Sequence, residues 1–460
     1  MKKTIIYTLM ICAVAFTSCT KFLDIKPYGE VIPKTADEFS SLLNTILENI
    51  DYGEEIIIGN PESAVELECY ADNFETNLTS YPTGNMIALY IGSHLSNKQH
   101  VYSNLYAVIR DCNIVIDNLE ERDTRLGKDI LGTAYALRGV CYYNLLRNFA
   151  EPPVGNMNGD GVPLVTTFDM EARPIRSSIE KTFALAESDM LTAISYDIQD
   201  EIYRFNTDVM EGFLARLYFW TGKWSQAKTY AEKVIAKYPM LSGQEYLDMM
   251  TSRMTKKGNM ILKSFVLSES SSLSGYNGAE SYLTSRPVSR RFVELFPEKE
   301  NDIRYDLSFN KKRVQQKHGF GCLRSAEMQL IIAESLYHSQ DQPGALKALN
   351  DFRKLRIENV EDYTNETLPA VNPDEYIKVD VYGEPLTPLL NAILNERRKE
   401  LFMEGDRWFE LKRNGRPEFW AAKQGRKYTT CKFMYTFPLP VKDVELVDGL
   451  KQNPGYDKVQ

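Results

Sequence analysis

Cysteine and histidine are scarce in this sequence, and their spacing is as informative as their number. The 460 residues include seven cysteines and four histidines. The histidines form no HExxH motif or cluster. The cysteines beyond residue 19 are odd in number and far apart: Cys69, Cys112, Cys141, Cys322 and Cys431. This spacing excludes a disulfide framework and a zinc site, and it predicts buried thiols. We therefore expect neither a metal nor a cofactor.

Catalytic motifs are also missing. The sequence has no Gly-rich phosphate loop, no nucleophile elbow and no Ser/His/Asp order. The best remaining candidates are Glu396, Glu400 and Glu404, spaced at i, i+4 and i+8 of one predicted helix over residues 396–413. Three basic residues lie beside them: Arg397, Arg398 and Arg407. Arginine lowers the pKa of a neighbouring carboxyl group, which is the wrong direction for a general acid near neutral pH. We expect a structural ion-pair network here, and we expect that the protein is not an enzyme.

Long apolar runs are absent, apart from a short one at the beginning. Lys2 and Lys3 precede an apolar stretch over residues 5–16, which is too short to cross a bilayer. The small residues Thr17 and Ser18 then precede Cys19. This order resembles a bacterial lipoprotein signal peptide, which implies that residues 1–18 are removed and that Cys19 is lipidated. The alternative is an ordinary cleaved secretory signal followed by a chance cysteine.

A net positive charge is lacking as well. The formal net charge is −9, and loss of residues 1–18, which carry two lysines and no acidic residue, leaves −11. Such a surface argues against binding to nucleic acid or directly to anionic lipid headgroups. The composition, 43% hydrophobic and 25% charged, is that of a globular protein with a sizeable core.

Apolar residues recur at helical spacing through much of the chain. A first helix is predicted from about Asp37 to Ile50, where Thr35 and Glu38 have the spacing of a capping box. Further helices are predicted over residues 105–119, 128–149, 177–197 and 206–221. Residues 211–239 and 325–356 share the tetratricopeptide spacing of small and apolar residues. These residues are Leu214, Ala215, Tyr218, Ala227 and Pro239, and Ile332, Ala333, Leu336, Ala345 and Leu349. The fold class predicted is mostly α, with a scaffold of tetratricopeptide-like helix hairpins.

Three segments interrupt this helical pattern. Residues 51–97 lack a helical period and are predicted to be a loop-rich insertion. Residues 242–324 and 357–388 are predicted to be loop-rich insertions with short strands or helices, laid against the scaffold. We interpret residues 19–460 as one domain that contains these insertions.

Several motifs along the chain resemble the SusD/RagB family of outer-membrane lipoproteins of Bacteroidota. They are FLDIKPYGEVIPKTADEFSSLLN (22–44) after Cys19, RGVCYYNLLRNFAEPPVGNMNGDGVPLV (138–165), ERRKELFMEGDRWFELKR (396–413), FPLP (437–440) and QNPGY (452–456). The resemblance implies a helical SusD-like fold with an irregular, loop-rich ligand face, and a place on the cell surface, anchored to the outer membrane. It also implies a SusC-like TonB-dependent transporter as partner, to which the protein hands a glycan or, in some members, a peptide. No chemistry on the ligand is implied.

Aromatic and amide side chains in the irregular segments are the candidate sugar contacts, because pyranose rings need flat apolar faces and hydrogen-bonding groups. The alternative for each tyrosine is packing or surface decoration. The candidates are Tyr70, Asp72, Asn73, Tyr81 and Tyr90 in the first segment, and Tyr276, Tyr282 and Arg286 in the second. A peptide or protein ligand remains the alternative to a glycan.

Overall fold

The structure is a computed structural model that describes residues 33–52, 57–75, 99–252, 256–264, 277, 280, 283–284, 286–423 and 426–456. In this part of the chain the fold is mostly α-helical, as predicted. The helices of the first half are α1 (Ala36–Tyr52), α2 (Pro61–Tyr70), α3 (Gln99–Asn118), α4 (Arg125–Phe149), α5 (Ile179–Tyr196), α6 (Thr207–Trp220), α7 (Trp224–Lys237) and α8 (Gly243–Thr251). Those of the second half are α9 (Arg290–Val293), α10 (Arg304–Ser308), α11 (Ser325–His338), α12 (Gln342–Lys354), α13 (Pro388–Glu400), α14 (Asp406–Arg413) and α15 (Val441–Leu446).

The described strands are short and pair locally. They form three two-stranded antiparallel sheets. The strands are β1 (Asp160–Pro163) with β2 (Arg176–Ser178), β3 (Met260–Lys263) with β4 (Cys322–Arg324), and β5 (Trp420–Lys423) with β6 (Arg426–Thr429). The pairing of β3 with β4 brings together the two ends of the segment that separates α8 from α11.

Side-chain caps determine where several helices begin. At α1, Glu38 N donates to Thr35 Oγ1 at 3.4 Å and Thr35 N donates to Glu38 Oε2 at 3.0 Å, which confirms the capping box. Ser178 caps α5 by accepting from Lys181 N, and Asn206 caps α6 by accepting from Val209 N. Each cap satisfies an amide group that has no partner inside its own helix.

The scaffold is a continuous stack of helices. In the order α3, α4, α5, α6, α7, α11, α12, each helix packs on the next. The predicted hairpins are α6–α7 and α11–α12, and the small residues Ala215, Ala227, Ala333 and Ala345 are fully buried at their contacts. This arrangement confirms the stack of helix hairpins expected from the tetratricopeptide spacing.

A buried ion pair ties three helices of the stack together. Arg138 of α4 donates to both carboxylate oxygens of Asp189 on α5, each at 2.7 Å, and to Asn113 Oδ1 of α3 at 2.7 Å. These contacts give the arginine of the RGVCYY motif a structural role, because a buried guanidinium needs several partners to offset its lost hydration.

Two predictions about secondary structure were wrong. Helix α2 lies inside the stretch predicted to be loop, and the buried Glu68 on it interrupts the apolar pattern that would have revealed it. The segment 396–413 is two helices instead of one, because the chain turns between Glu400 and Asp406. Met403 and Gly405 have left-handed φ values of 64° and 72° in that turn, which a continuous helix does not allow.

One hydrophobic cluster includes buried side chains from Ala36 through Tyr456. Cys69, Cys112, Cys141 and Cys322 are buried, Cys431 is half-buried, and all five are free thiols. Among the described residues, no helix combines the length and apolar character that a membrane span requires.

Candidate functional site

Of the predicted site residues, the structure describes Tyr70, Asp72, Asn73 and Arg286. Cys19, Tyr81, Tyr90, Tyr276 and Tyr282 lie outside the described residues. The four described residues are all buried, with at most 5% of their surface exposed. This differs from the prediction, since a side chain that contacts a ligand needs an accessible surface.

Asp72 is held by arginines from the C-terminal part of the chain. It accepts from Arg407 Nε at 2.7 Å and from Arg407 Nη2 at 2.9 Å, and Arg398 Nη2 lies 3.2 Å from its Oδ2. Burial alone would raise the pKa of Asp72, but the two guanidinium groups outweigh burial and hold the pKa well below its usual range. The carboxylate is therefore a structural counter-ion in this structure.

Asn73 connects two other buried charges. Its Nδ2 donates to Glu68 Oε2 at 2.8 Å, and its Oδ1 accepts from Arg398 Nε at 2.7 Å. Glu68 also accepts from Met403 N at 3.0 Å. Burial raises the pKa of Glu68 to about 7. The amide of Asn73 is thus used within the protein and fixes the segment that leads to Phe74.

Tyr70 and Arg286 also have scaffold contacts. The ring of Tyr70 meets that of Trp408 edge-on, with centroids 5.6 Å apart. Arg286 Nε donates to the backbone oxygen of Glu75 at 2.7 Å. Arg286 therefore joins the first predicted ligand segment to the second through a backbone contact.

The two segments meet at a β-bridge. Phe74 pairs with Val288 in antiparallel orientation, Glu75 N donates to Pro287 O at 2.8 Å, and Ser289 N donates to Asn73 O at 2.8 Å. Glu75 is the last described residue of the first segment, and the continuously described end of the second segment begins at Arg286. The ends of the two segments predicted to bind ligand are therefore adjacent, although more than 200 residues separate them in sequence.

Glu75 and Arg313 place charged side chains beside this bridge. Glu75 accepts from Arg290 N and from Arg313 Nη1, each at 2.9 Å, and the side chains of Glu75 and Arg313 are 36% and 30% exposed. Nearby in sequence to Arg313, His318 Nδ1 lies 3.0 Å from Glu280 Oε1. Carboxylate, guanidinium and imidazole groups at a half-exposed surface can bind sugar hydroxyls. Sequence reasoning missed these residues, because nothing local signals a contact across such distances in the chain.

The three glutamates of the charged segment form the predicted ion-pair network, but with other partners. Glu400 accepts from Arg324 Nη1 at 2.5 Å and from Arg356 Nε at 2.9 Å, and Arg304 donates to Glu396 at 2.7 Å. Glu404 accepts from Lys317 Nζ at 2.6 Å. Each of these side chains is at most 5% exposed.

The glutamates of this network serve as counter-ions of buried cations. Burial alone would raise the pKa of Glu400, yet Arg356, Arg324 and Arg304 hold it well below its ordinary value. The pKa values of Glu396 and Glu404 are also lowered by their cationic neighbours, against the effect of burial. The neighbouring arginines have separate partners: Arg397 binds Asp406, and Arg398 and Arg407 bind Asp72. Within the described residues, no group of three or more His, Cys, Asp and Glu side chains is arranged to hold a metal ion.

Comparison with known proteins identifies the family. A model described as the SusD family matches residues 215–456, which is more than half of the chain. The chain belongs to the SusD family. A second SusD-like model, described as starch-binding and associating with the outer membrane, matches residues 21–219. The two matches together extend over nearly the whole chain.

Individual SusD-like proteins agree with this assignment. The SusD-like protein P38 of Formosa agariphila is 25% identical over 427 residues, which cover 76% of this chain and 79% of that protein. A SusD superfamily protein of Bacteroides thetaiotaomicron has the same fold with a TM-score of 0.71 and 20% identity, over 91% of this chain and 100% of that one. A SusD-like carbohydrate binding protein of Bacteroides vulgatus gives a TM-score of 0.66 and 19% identity, over 91% and 98% of the two chains. These structures confirm the mostly helical SusD-like fold.

Proposed function

We propose that this SusD-like chain is a cell-surface lipoprotein that captures an oligosaccharide or polysaccharide and delivers it to a SusC-like TonB-dependent transporter of the outer membrane. In this proposal the protein binds its ligand without changing it chemically. Support comes from the family, since one matching model is described as starch-binding and outer-membrane-associated and one structural neighbour is named as carbohydrate binding.

The observation that carries the proposal is the bridge between Phe74 and Val288. It joins the ends of the two segments in which the sequence concentrates tyrosine, asparagine and aspartate. Tyrosine rings offer flat apolar faces for sugar rings, and polar groups such as those of Glu75 and Arg313 offer hydrogen bonds to hydroxyls. A ligand face at this bridge would therefore combine both kinds of contact.

The test of the ligand begins with an array of glycans, followed by calorimetric titration of the best one. The variants Tyr81→Ala, Tyr90→Ala, Tyr276→Ala and Tyr282→Ala address the proposed face. Truncating an aromatic residue that dominates binding costs more than about 1–2 kcal/mol, or roughly tenfold or more in affinity. Tyr382→Ala is the matched control, because Tyr382 is a surface tyrosine 55% exposed in the loop before α13.

If all four variants bind the glycan as tightly as the wild type and keep its melting temperature, the proposed face is wrong. Variants that unfold would instead indicate packed tyrosines. A peptide array run in parallel tests the alternative ligand class, and peptide binding without any glycan binding would replace the glycan proposal. New reducing ends after incubation with polysaccharide would contradict the absence of catalysis.

The anchor and the transporter need separate tests. Labelling of cells with a clickable palmitate analogue should mark the wild type and not Cys19→Ala, and equal labelling of the two would refute lipidation at Cys19.

A detergent pull-down of the tagged protein should recover a large outer-membrane barrel. We expect the helical stack to contribute an interface on the order of 1,600 Å² or more, as in stable complexes. Recovery of the protein alone under gentle extraction would contradict the pairing.

A further inference from the structure

A cleft lies between the beginning of α2 and helices α3, α4 and α14. It encloses about 670 Å³, including the part that is open to solvent. This is room for a small organic molecule, since one water molecule takes up about 30 Å³. The walls are mainly apolar and include Ala64, Leu67, Val101, Leu105, Phe409 and Phe437. The function proposed above does not use this cleft, because the bridge between Phe74 and Val288 follows the other end of α2.

Arg147 of α4 lines this cleft and also a smaller cavity of about 300 Å³ that adjoins it. Its guanidinium carbon lies 3.6 Å from the centre of the Phe409 ring. The guanidinium donates no hydrogen bond to any residue that the structure describes. Its closest carboxylate oxygen there is Oδ1 of Asp406, at 3.7 Å from Nη2, which is beyond hydrogen-bond distance. An aromatic face thus holds the cation while its N–H groups stay available to a ligand.

Every other charged residue that lines the two cavities has a counter-ion within 2.9 Å, whereas Arg147 has none at that distance among the described residues. The pairs are Arg216 with Glu327, Arg397 with Asp406, Arg413 with Glu334, Glu410 with Arg407, and Glu404 with Lys317. Asp406 accepts from Arg397 with both of its carboxylate oxygens, so its charge is already balanced. The excess positive charge of the cleft is therefore located at Arg147.

The smaller cavity has polar atoms without a hydrogen-bond partner among the described residues. They include Trp220 Nε1, Arg397 Nη1 and Glu410 Oε1, on side chains at most 5% exposed. Two donors and one acceptor together suit water molecules, which both accept and donate. The apolar cleft thus adjoins a polar cavity, with an unbalanced guanidinium where the two meet.

We propose that this cleft binds a small organic acid, with its carboxylate on Arg147 and its apolar body against Leu67, Val101 and Phe437. A guanidinium fork matches the two oxygens of a carboxylate, and the apolar walls would be removed from water by the body of the ligand. A neutral sugar is the less suitable occupant, because it would leave the charge of Arg147 unbalanced and would set hydroxyl groups against apolar walls. The inference does not depend on the function proposed above.

The test is calorimetric titration with three probes: hexanoate, 1-hexanol and acetate. Hexanoate has both a carboxylate and an apolar body, hexanol lacks the charge, and acetate lacks most of the body. Hexanoate should bind at least about tenfold more tightly than either of the others, because hydrogen bonds to charged groups and buried methylene groups both contribute. Absence of hexanoate binding, or equally tight binding of hexanol or acetate, would overturn the inference.

The variant R147Q should weaken hexanoate binding about tenfold or more and leave hexanol binding unchanged, because it removes the partner of the carboxylate only. R147K should give an intermediate affinity, since lysine keeps the charge but loses the paired donors. The matched control R110Q removes an arginine of α3 whose side chain is 54% exposed, and it should change neither affinity. Equal loss of hexanoate affinity in R147Q and R110Q would indicate a general effect of charge and would overturn the inference.

The variant V101F tests the apolar part of the cleft. Val101 is half-buried in the cleft wall, so a larger side chain there should leave less room for the ligand and weaken hexanoate binding about tenfold, although Arg147 is retained. V101F should keep the parent melting temperature, and V101L replaces it if it does not. Parent affinity for hexanoate in the folded variant would contradict the inference. Glycan binding should be unchanged in all of these variants, so failure here leaves the proposal for the Phe74–Val288 face unaffected.

Discussion

Arg398 Nε donates a 2.7 Å hydrogen bond to Oδ1 of Asn73, a residue that precedes it by 325 positions. Helix α13 thereby holds the segment that continues into the bridge between Phe74 and Val288. Because the same amide also binds Glu68, one side chain connects α2, α13 and the base of the proposed ligand face.

The variant Asn73→Ala should lower both stability and ligand affinity. It leaves Arg398 and Glu68 each without one buried hydrogen bond, which costs about 1–3 kcal/mol for each group left unsatisfied. Urea unfolding and calorimetric titration measure the two effects. Asn158→Ala, at an exposed turn, is the control and should change neither. A fully stable Asn73→Ala protein would show that this contact contributes nothing to the fold.

Replacement of Glu400 by glutamine should destabilise the protein without affecting ligand binding in the molecules that remain folded. The substitution removes the shared counter-ion of Arg324 and Arg356, and disruption of a buried ion pair costs about 3–5 kcal/mol. Chemical unfolding of Glu400→Gln and of the exposed control Glu445→Gln measures the difference. Lost affinity at unchanged stability would instead place Glu400 in a binding site.

The same network should make the protein sensitive to acid. The pKa values of Glu396, Glu400 and Glu404 are lowered in the folded chain, so the folded state binds fewer protons than the unfolded one. Their stabilisation is complete above the pKa of an unfolded glutamate, about 4.3, and is lost as the pH falls through the folded values. Unfolding free energy measured from pH 7 down to pH 3 should fall more steeply for the wild type than for Glu400→Gln. Parallel curves would contradict this.

Lys412 should make stability rise with pH in the alkaline range as well. It is fully buried, its Nζ donates to the backbone oxygens of Arg147 and Ala150, and burial lowers its pKa to about 7. Between that pH and about 10.4, the pKa of an unfolded lysine, the unfolded chain binds a proton that the folded chain does not. The unfolding free energy should therefore rise with pH in this window, by an amount on the order of a few kcal/mol.

Lys412→Met isolates this effect, because methionine keeps the apolar stem and cannot titrate. Its unfolding free energy should lack the rise seen in the wild type, whereas Lys181→Met, at an exposed site, should retain it. The same slope in both variants would assign the pH dependence to other groups.

The helix hairpins were predictable because their signals are local. Ala215 and Ala227, twelve positions apart, mark a close contact between neighbouring helices. Thr35 and Glu38, three positions apart, mark the start of a helix. Helix α2 had a usable signal too, since Asn60 caps it and Pro61 occupies its first turn. The buried Glu68 concealed its apolar face.

The ion pairs and the site were less predictable because their partners are remote. Sequence proximity favoured Arg397 beside Glu396, but adjacent residues on a helix do not face each other. The actual partners of Glu400 are Arg304, Arg324 and Arg356, which precede it by 44 to 96 positions. Asp72 looked like a loop carboxylate for the same reason, as its partner Arg407 lies 335 positions away.

Helices α7 and α11 are neighbours in the stack, although residues 238–324 separate them in the sequence. Helix α7 packs on α11, and Ser325 Oγ donates to the backbone oxygen of Tyr238, so the whole stretch between them leaves and returns at one seam. Doubling the length of such a closed loop costs only about 0.6 kcal/mol of entropy. Added length in the exposed turns of this stretch is therefore inexpensive for the scaffold, whereas Arg304 and Lys317 within it are fixed by their pairs with Glu396 and Glu404. A lineage can lengthen or shorten those turns while the helices on either side stay under unchanged selection.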